Sequence, residues 1–240
     1  MKLIADTHAH TLASGHAYST IREMAAVASE KGLQLLALTE HAPKMPGSCS
    51  LYYFQNLSVL PEKIYGVRML YGAELNIMNP DGDLDLPEGL CQKLDLTIAS
   101  IHPPCFGLEH TEKEITDAYV NVMNKPYVNI IGHPDDGRFK ADYEVLVKTA
   151  KETGTLLEVN NSSLRPNGFR KGTRENILTI LDLCRQYEVP VTTGSDAHFD
   201  ADAGNFGYIQ EVLEYCAFPE ELVVTGDVER VKPFLNAFKI

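Results

Sequence analysis

Short apolar runs rich in β-branched residues alternate with amphipathic stretches along the whole chain. Seven of these runs are predicted to be strands, and they lie near residues 2–6, 34–39, 68–75, 95–101, 128–132, 155–160 and 189–194. The alternation is typical of a parallel sheet covered by helices. Because the runs are almost continuously hydrophobic, we expect the strands to be buried on both faces.

The intervening helices carry boundary signals of their own. Capping-box patterns at Thr20–Glu23 and Thr111–Glu114 each open a helix. A third helix is predicted over about 142–153, and Thr173 is predicted to cap a fourth. Seven strand–helix units without a linker or a composition break predict one α/β domain over residues 1–240, folded as a closed or nearly closed barrel. A doubly wound open sheet has the same local signals and is the alternative.

Nine histidine and carboxylate side chains fall at the predicted strand ends or in the loops just after them. They are His8, His10, His16, His41, Glu74, His102, His133, Asp196 and His198. In a parallel α/β fold these strand ends lie on one face, so residues far apart in the chain converge on one pocket. Imidazole and carboxylate groups are ligands for zinc, manganese or iron. The pattern therefore predicts a multinuclear metal site.

The number and origin of these side chains bear on both the ion count and the fold. Nine ligands are too many for one ion and suit three, whereas two ions with spare histidines are the alternative. Any single pair, such as His8 with His10, is weak support for a metal site. His110 lies outside the pattern and is interpreted as structural or solvent-exposed. The ligands come from six of the seven strand ends, and His8 and His10 need Asp196 nearby. Both facts favour a barrel over an open sheet.

Composition and charge narrow the class of protein. The formal charge of −12, from 21 basic and 33 acidic residues, argues against a general nucleic-acid or membrane-surface binder. Three divalent ions would still make the pocket cationic, which suits a phosphate dianion. The five cysteines show no C-x-x-C pairing, the N-terminus runs straight into the first motif, and no apolar run is long enough for a membrane span. We therefore expect free thiols and a cytoplasmic location.

On these residues the chain resembles the PHP-domain proteins (polymerase and histidinol phosphatase superfamily), in the YcdX-like phosphatase branch. The resemblance covers essentially the whole chain. It rests on D-T-H-A-H-T at 6–11, His16, T-E-H at 39–41, G-A-E at 72–74, S-I-H at 100–102, G-H-P at 132–134 and S-D-A-H at 195–198. It implies a distorted (β/α)7 TIM-like barrel with a trinuclear centre.

The resemblance also implies how the ligands are shared among three divalent ions, for which Zn²⁺ is favoured and Mn²⁺ or Fe²⁺ are alternatives. One ion would be held by His8, His10, Glu74 and Asp196, a second by His16, His41 and His198, and a third by Glu74, His102 and His133. In this assignment Glu74 is the bridge.

The expected activity is phosphomonoester hydrolysis of a small phosphorylated metabolite, with a metal-bridging hydroxide as the nucleophile. No catalytic side chain is predicted beyond the metal cluster. Arg165, Arg170 and Lys171, after the sixth strand, and Lys44, after His41, are the candidate substrate contacts. The partner is then a small-molecule phosphate ester, without nucleic acid or membrane, and a homo-oligomer is left open.

Three other functions are compatible with part of the pattern. An amidohydrolase-type C–N or ester hydrolase also begins with H-x-H, but many members use a strand-end lysine, and Glu74 occupies the bridging place here. A PHP-type 3′-5′ nuclease is less consistent with the acidic charge. A purely structural metal site is the non-enzymatic alternative, although such sites usually have four ligands and closed coordination.

Overall fold

The computed structural model describes residues 1–236. Its strands are β1 (Ala5–Asp6), β2 (Leu35–His41), β3 (Lys63–Ile64), β4 (Val67–Asn76), β5 (Thr97–Ser100), β6 (Ile130–Ile131), β7 (Leu156–Asn160) and β8 (Val191–Gly194). Its α-helices are α1 (Ile21–Glu30), α2 (Leu51–Gln55), α3 (Glu88–Cys91), α4 (Pro103–Phe106), α5 (Glu112–Met123), α6 (Tyr143–Thr153), α7 (Thr173–Tyr187), α8 (Gly207–Tyr215) and α9 (Val228–Val231). None of these helices is long and apolar enough to cross a lipid bilayer.

Seven strands form a parallel sheet in the order β1-β2-β4-β5-β6-β7-β8, and the short β3 pairs antiparallel with β4. The sheet is nearly closed into a barrel by the segments that follow β1 and β8. There the amide of Asp196 donates to the His8 carbonyl at 2.8 Å, and the amide of His10 donates to the Ala197 carbonyl at 2.9 Å. The predicted single-domain α/β barrel is confirmed. The last residues of the predicted domain, 237–240, lie outside the described residues.

Most helix boundaries follow the predicted signals. Both capping boxes form, at the start of α1 and of α5. The prediction for Thr173 is wrong, because Gly172, with φ of +61°, occupies the N-cap and Thr173 is the first helical residue. The Thr173 hydroxyl donates instead to the Ser163 carbonyl at 2.8 Å. It therefore ties the preceding loop, residues 161–172, to the start of α7.

The inward face of the barrel is apolar at one end and polar at the other. Alternate strand residues share a face, and those on the inner face form a small apolar cluster distinct from the larger one under the helices. The inner cluster contains Ala5, Leu35, Ala37, Leu70, Leu96, Ile98, Ile130 and Leu156, with Val224 and Val231 from the C-terminal region. On β2 the same face continues to Thr39 and His41, and on β4 it continues to Glu74 and Asn76.

Asp6 holds the closure of the barrel together. Its buried carboxylate accepts hydrogen bonds from the amides of Ser195 at 2.9 Å, Gly204 at 2.9 Å and His8 at 3.3 Å. Burial raises the pKa of Asp6 from its usual value, although these hydrogen bonds act in the opposite direction. One side chain thus joins the first strand to two points after the last one.

We expect Asp6→Asn to lower the free energy of unfolding by about 2 kcal/mol, because an amide group replaces one acceptor that faces a buried N–H donor. Asp200→Asn is the matched control, since the Asp200 carboxylate accepts a local, exposed hydrogen bond from the neighbouring Ala201 amide; we expect a change within about 0.5 kcal/mol. Urea unfolding of the two variants measures both values. An equal effect of the two substitutions would contradict the role given to Asp6.

Candidate metal centre

The structure brings all nine predicted side chains together at the carboxyl ends of the barrel strands. Glu74 lies at the middle of this cluster. Its Oε1 atom is 3.0 Å from His133 Nε2 and 3.2 Å from His102 Nε2. Its Oε2 atom is 2.7 Å from His41 Nδ1, but the two atoms do not form a hydrogen bond of acceptable geometry. One carboxylate oxygen of Glu74 thus faces the ring nitrogens of His102 and His133, and the other faces that of His41. A carboxylate that bridges two metal ions requires such an arrangement.

Hydrogen bonds behind the cluster fix which ring nitrogens carry protons. His8 Nδ1 lies 2.8 Å from Glu158 Oε1, so it must donate its proton to that carboxylate. His10 Nδ1 lies 3.1 Å from Ser14 Oγ, whose own proton goes to Glu40 Oε2 at 2.6 Å, so His10 Nδ1 is also a donor. The two Nε2 atoms then face each other at 3.1 Å. Burial lowers the pKa of His8, but Glu158, Glu74 and Asp196 raise it well above its usual value, so His8 carries a second proton in the metal-free protein and a bound metal ion would take the place of that proton.

The same orientation recurs at His102. Its Nδ1 lies 2.8 Å from Asn76 Oδ1, and the Asn76 amide nitrogen donates to Asp85 Oδ2 at 2.6 Å. Because the Asn76 oxygen must then be the acceptor, His102 donates from Nδ1 and turns its Nε2 lone pair toward the Glu74 carboxylate. A lone pair facing a carboxylate is repulsive unless a metal ion binds to both.

Solvent exposure differs across the cluster. His8 and His10 are fully buried, whereas the His198 side chain is 30% exposed and His16 is exposed. His198 donates from Nδ1 to the Asp196 carbonyl at 3.0 Å, which leaves its Nε2 as an acceptor 3.2 Å from His16 Nε2. The cluster therefore opens to solvent on the side of His16 and His198, where a substrate can enter.

The charges of the cluster suit metal binding. Burial alone raises the pKa of Glu74, but His102, His41 and His8 hold that pKa well below its usual value. Burial and the neighbouring His41 and His198 hold the pKa of His10 well below its usual value. Near neutral pH the carboxylate is thus ionised and His10 is neutral, and these are the protonation states that bind metal.

Among the described residues, three groups of three side chains each have their metal-binding atoms within 4.8 Å of one another, close enough for one ion to bind all three. They are His10, His41 and His198; His8, His10 and Glu74; and His41, Glu74 and His102. Nitrogen and carboxylate donors at this spacing fit zinc, manganese or iron. His133 and Asp196 have positive φ angles of 33° and 55°, a strained conformation that non-glycine residues adopt chiefly where function requires it. The residues present therefore fit a polynuclear site.

Glu158 in β7 is a functional residue that the sequence interpretation missed. It is buried, and its second oxygen accepts from the His133 amide at 2.8 Å, so one carboxylate orients parts of two predicted ligands. Gly194 makes this possible, because a Cβ atom there would lie 2.2 Å from Glu158 Oε1. An acid at the centre of the apolar run Leu-Leu-Glu-Val-Asn was the available signal.

The four predicted substrate contacts have different positions. Arg165 and Arg170 line the cavity above the cluster. Arg170 is almost buried, and both of its terminal nitrogens are 3.0 Å from Asp196 Oδ2. Lys44 and Lys171 are exposed and are not among the described residues that line this cavity. Their position after strand ends was too weak a criterion, because it does not determine the direction of a long side chain.

The cavity has a volume of about 530 Å³, which is in the range of small-molecule sites. The exposed edge of the metal cluster forms its floor, and loop 161–172 contributes to its wall. Arg138 and Phe169 also line it, and neither was predicted to do so. His110, as expected, is elsewhere: its ring bonds to the Phe106 carbonyl at 2.9 Å.

Comparisons with known proteins agree with this geometry. A family model described as the PHP domain matches residues 6–164. The chain is 47% identical over 239 residues to a protein named probable phosphatase from Thermoanaerobacter sp. (strain X514), covering 100% of this chain and 97% of the relative. A probable phosphatase from Clostridium novyi (strain NT) is 46% identical over 237 residues, covering 99% and 96%.

Among solved structures, the chain is similar to histidinol phosphate phosphatase from Lactococcus lactis subsp. lactis, complexed with zinc, L-histidinol and phosphate. The TM-score is 0.65 at 19% sequence identity, covering 90% of this chain and 94% of that chain. The putative histidinol phosphatase from Listeria monocytogenes gives a TM-score of 0.57 at 17% identity, covering 86% and 99%. At these identities the similarity shows a shared fold.

We expect Glu158→Gln to weaken metal binding about 10- to 100-fold while leaving every ligand in place, because His8 loses the carboxylate that orients it and raises its basicity. Competition with a chromophoric chelator measures the affinity. Glu211→Gln, on the exposed face of α8, is the control and should bind metal as the unchanged protein does. An unaltered affinity in Glu158→Gln would contradict the role of this carboxylate.

Stability should depend on pH through Asp135, where burial raises the pKa to about 7 from 3.8 although Arg170 lowers it. The folded state then binds the proton more tightly, so the stabilisation is complete below about pH 4 and is lost as pH rises through 7. The unfolding free energy of the unchanged, metal-free protein, relative to Asp135→Asn, should fall over that window. Burial raises the pKa of Asp136, but hydrogen bonds from Arg138 outweigh it and lower that pKa. The unfolding free energy of the unchanged protein relative to Asp136→Asn should therefore show no such fall, and equal pH profiles of the two differences would contradict the role given to Asp135.

Proposed function

Because the chain belongs to the PHP-domain family and is a phosphoesterase, we propose that it hydrolyses the monoester of a small phosphorylated metabolite at a trinuclear metal centre. The observation that carries the proposal is the convergence of buried histidine and carboxylate side chains around Glu74 at the base of an open cavity. Divalent ions held by these side chains would bind a phosphate group that enters the cavity.

The proposed distribution of ligands is the one that the family resemblance implies. His8, His10, Glu74 and Asp196 would hold one ion, His16, His41 and His198 a second, and Glu74, His102 and His133 the third. Asp196 supports this division, because its Oδ1 lies 3.4 Å from His10 Nε2 and 3.7 Å from His8 Nε2 while its Oδ2 binds Arg170. Zinc is the favoured metal, and manganese or iron are alternatives.

Divalent ions, when bound, would supply a nucleophile by lowering the pKa of a water molecule and would neutralise charge on the phosphoryl oxygens. The chain's own contribution is positioning. Glu158 and Ser14 hold the rings of His8 and His10 so that their Nε2 atoms face the centre. Arg170 is held by Asp196 at the cavity wall, where its positive charge favours a phosphate group.

The remaining wall residues define the rest of the proposed substrate site. Arg165, which pairs with Asp202 at 2.8 Å, stays half exposed at the cavity edge and is the second candidate phosphate contact. Lys44 and Lys171 are weaker candidates, because their side chains would have to reach in from outside the cavity. The names of the close relatives favour a phosphatase over an amidohydrolase or a nuclease. All five cysteines are free, which agrees with the proposed cytoplasmic location.

We expect His102→Ala and Asp196→Ala each to reduce hydrolysis of p-nitrophenyl phosphate at least about 10³-fold, because each removes a ligand of the centre. His110→Ala is the matched control, since His110 bonds to a helix carbonyl away from the cluster, and its activity should be close to that of the unchanged protein. Initial rates on metal-replete protein give the comparison.

Removing the metals should have the same effect as removing a ligand. We expect gently purified protein to contain about three ions per chain and to lose its activity on dialysis against a strong chelator, with recovery when Zn²⁺ or Mn²⁺ is returned. Elemental analysis and the same rate assay measure both. Full activity in protein freed of metal would overturn the proposed function.

A further inference from the structure

The cavity above the cluster is much larger than a phosphoryl group. Its volume of about 530 Å³ would hold roughly eighteen water molecules at ~30 Å³ each. The part against the histidine cluster is polar, and the rest of the lining combines polar and apolar side chains. The polar ones include Arg138, Asn161, Ser162, Arg165 and Asp202, and the apolar ones are Met45, Ile101, Pro103, Pro104 and Phe169. A phosphoryl group at the cluster would therefore leave the ester's alcohol portion beside these apolar side chains.

Phe169 is the unusual member of this apolar set, because 64% of its surface is exposed. Its ring centroid lies 5.2 Å from the guanidinium carbon of Arg138 and 5.0 Å from that of Arg170. Both arginines are themselves fixed, Arg138 by Asp136 and Arg170 by Asp196. Cation–π contacts thus hold an exposed ring in one place beside the phosphate site.

The loop that carries Phe169 is anchored at several points. Arg170 binds Asn160 Oδ1 at 3.2 Å and Ser163 Oγ at 3.1 Å, and the Lys171 carbonyl accepts from the Gly137 amide at 2.7 Å. A ring held this firmly loses little conformational entropy when a ligand packs against it. Its open surface is therefore suited to contact with an apolar group.

We propose that Phe169 is a specificity-determining residue and that the preferred substrates are phosphate monoesters of alcohols with an uncharged aromatic or apolar portion. This inference rests on the proposed phosphatase function. Apolar and ring surfaces pack favourably on an aromatic face. The guanidinium groups of Arg138 and Arg170, which flank the ring, would repel an ammonium group on the substrate. Short polar or cationic esters should consequently be poor substrates.

The test compares three esters whose phosphate is identical: 2-phenylethyl phosphate, ethyl phosphate and 2-aminoethyl phosphate. In the first, the ring is two carbons from the ester oxygen, so it has little influence on the leaving group. We expect kcat/KM for the phenylethyl ester to exceed that for the ethyl ester about tenfold or more, as an aromatic contact of ~1.4 kcal/mol gives. The aminoethyl ester should be the slowest.

Phe169→Ala should reduce the ratio of kcat/KM for the phenylethyl ester to kcat/KM for the ethyl ester to about twofold. Tyr215→Ala is the matched control, because Tyr215 is also an exposed ring beside an arginine, Arg174 at 5.5 Å, but does not line the cavity. It should retain the full preference. A ratio near one in the unchanged protein, a ratio that survives Phe169→Ala, or preference for the aminoethyl ester would overturn the inference.

Calorimetric binding of 2-phenylethylphosphonate and ethylphosphonate to metal-replete protein separates this inference from the proposed function. The phenylethyl compound should bind about tenfold more tightly, and Phe169→Ala should remove the difference. If no ester is hydrolysed while this difference is found, the phosphatase proposal fails and the role of Phe169 stands. If esters are hydrolysed and the two phosphonates bind equally, the phosphatase proposal stands and the role of Phe169 fails.

Discussion

The crowding of buried imidazole and carboxylate groups around Glu74 is the feature that the surrounding structure has to support. Glu158 and Ser14 accept the Nδ1 protons of His8 and His10, so the two Nε2 atoms meet at 3.1 Å beside the Glu74 carboxylate. Although burial lowers the pKa of His8, the carboxylates around it raise that pKa well above its usual value, so a proton balances their charge in the metal-free protein and a bound metal ion would replace it. The buried acids behind the cluster are thus as necessary to the site as the ligands themselves.

The barrel provides this arrangement through a change along the inner face of its strands. The inward positions of β2 pass from Leu35 and Ala37 to Thr39 and His41, and those of β7 pass from Leu156 to Glu158 and Asn160. The apolar half packs with Val224 and Val231, and the burial of these side chains stabilises the barrel. This stability offsets the cost of crowding buried histidines and carboxylates into the polar half. Asp6, at the seam between first and last strands, keeps both halves of the ligand set in register.

The strands, the starts of two helices and the convergence of the nine side chains were predictable, because each depends on a pattern of residues close together in the sequence. Strand period, capping boxes and strand-end histidines are short-range signals, and they predicted the seven parallel strands and the convergence of the nine side chains. Glu158 and Phe169 were missed because their roles arise from tertiary contacts: one bonds a histidine 150 positions away, and the other stacks on two arginines. Thr173 was misassigned because its hydroxyl bonds to Ser163 in the loop, a competition that no capping pattern reveals.

In the proposed centre, Glu74 bridges ions held by the surrounding histidines. Anomalous diffraction at the zinc absorption edge, from crystals of zinc-loaded protein, tests this bridging role. We expect three anomalous peaks, with one near each oxygen of the Glu74 carboxylate and a third within bonding distance of His16, His41 and His198. A single peak, or peaks without contact to both Glu74 oxygens, would contradict it.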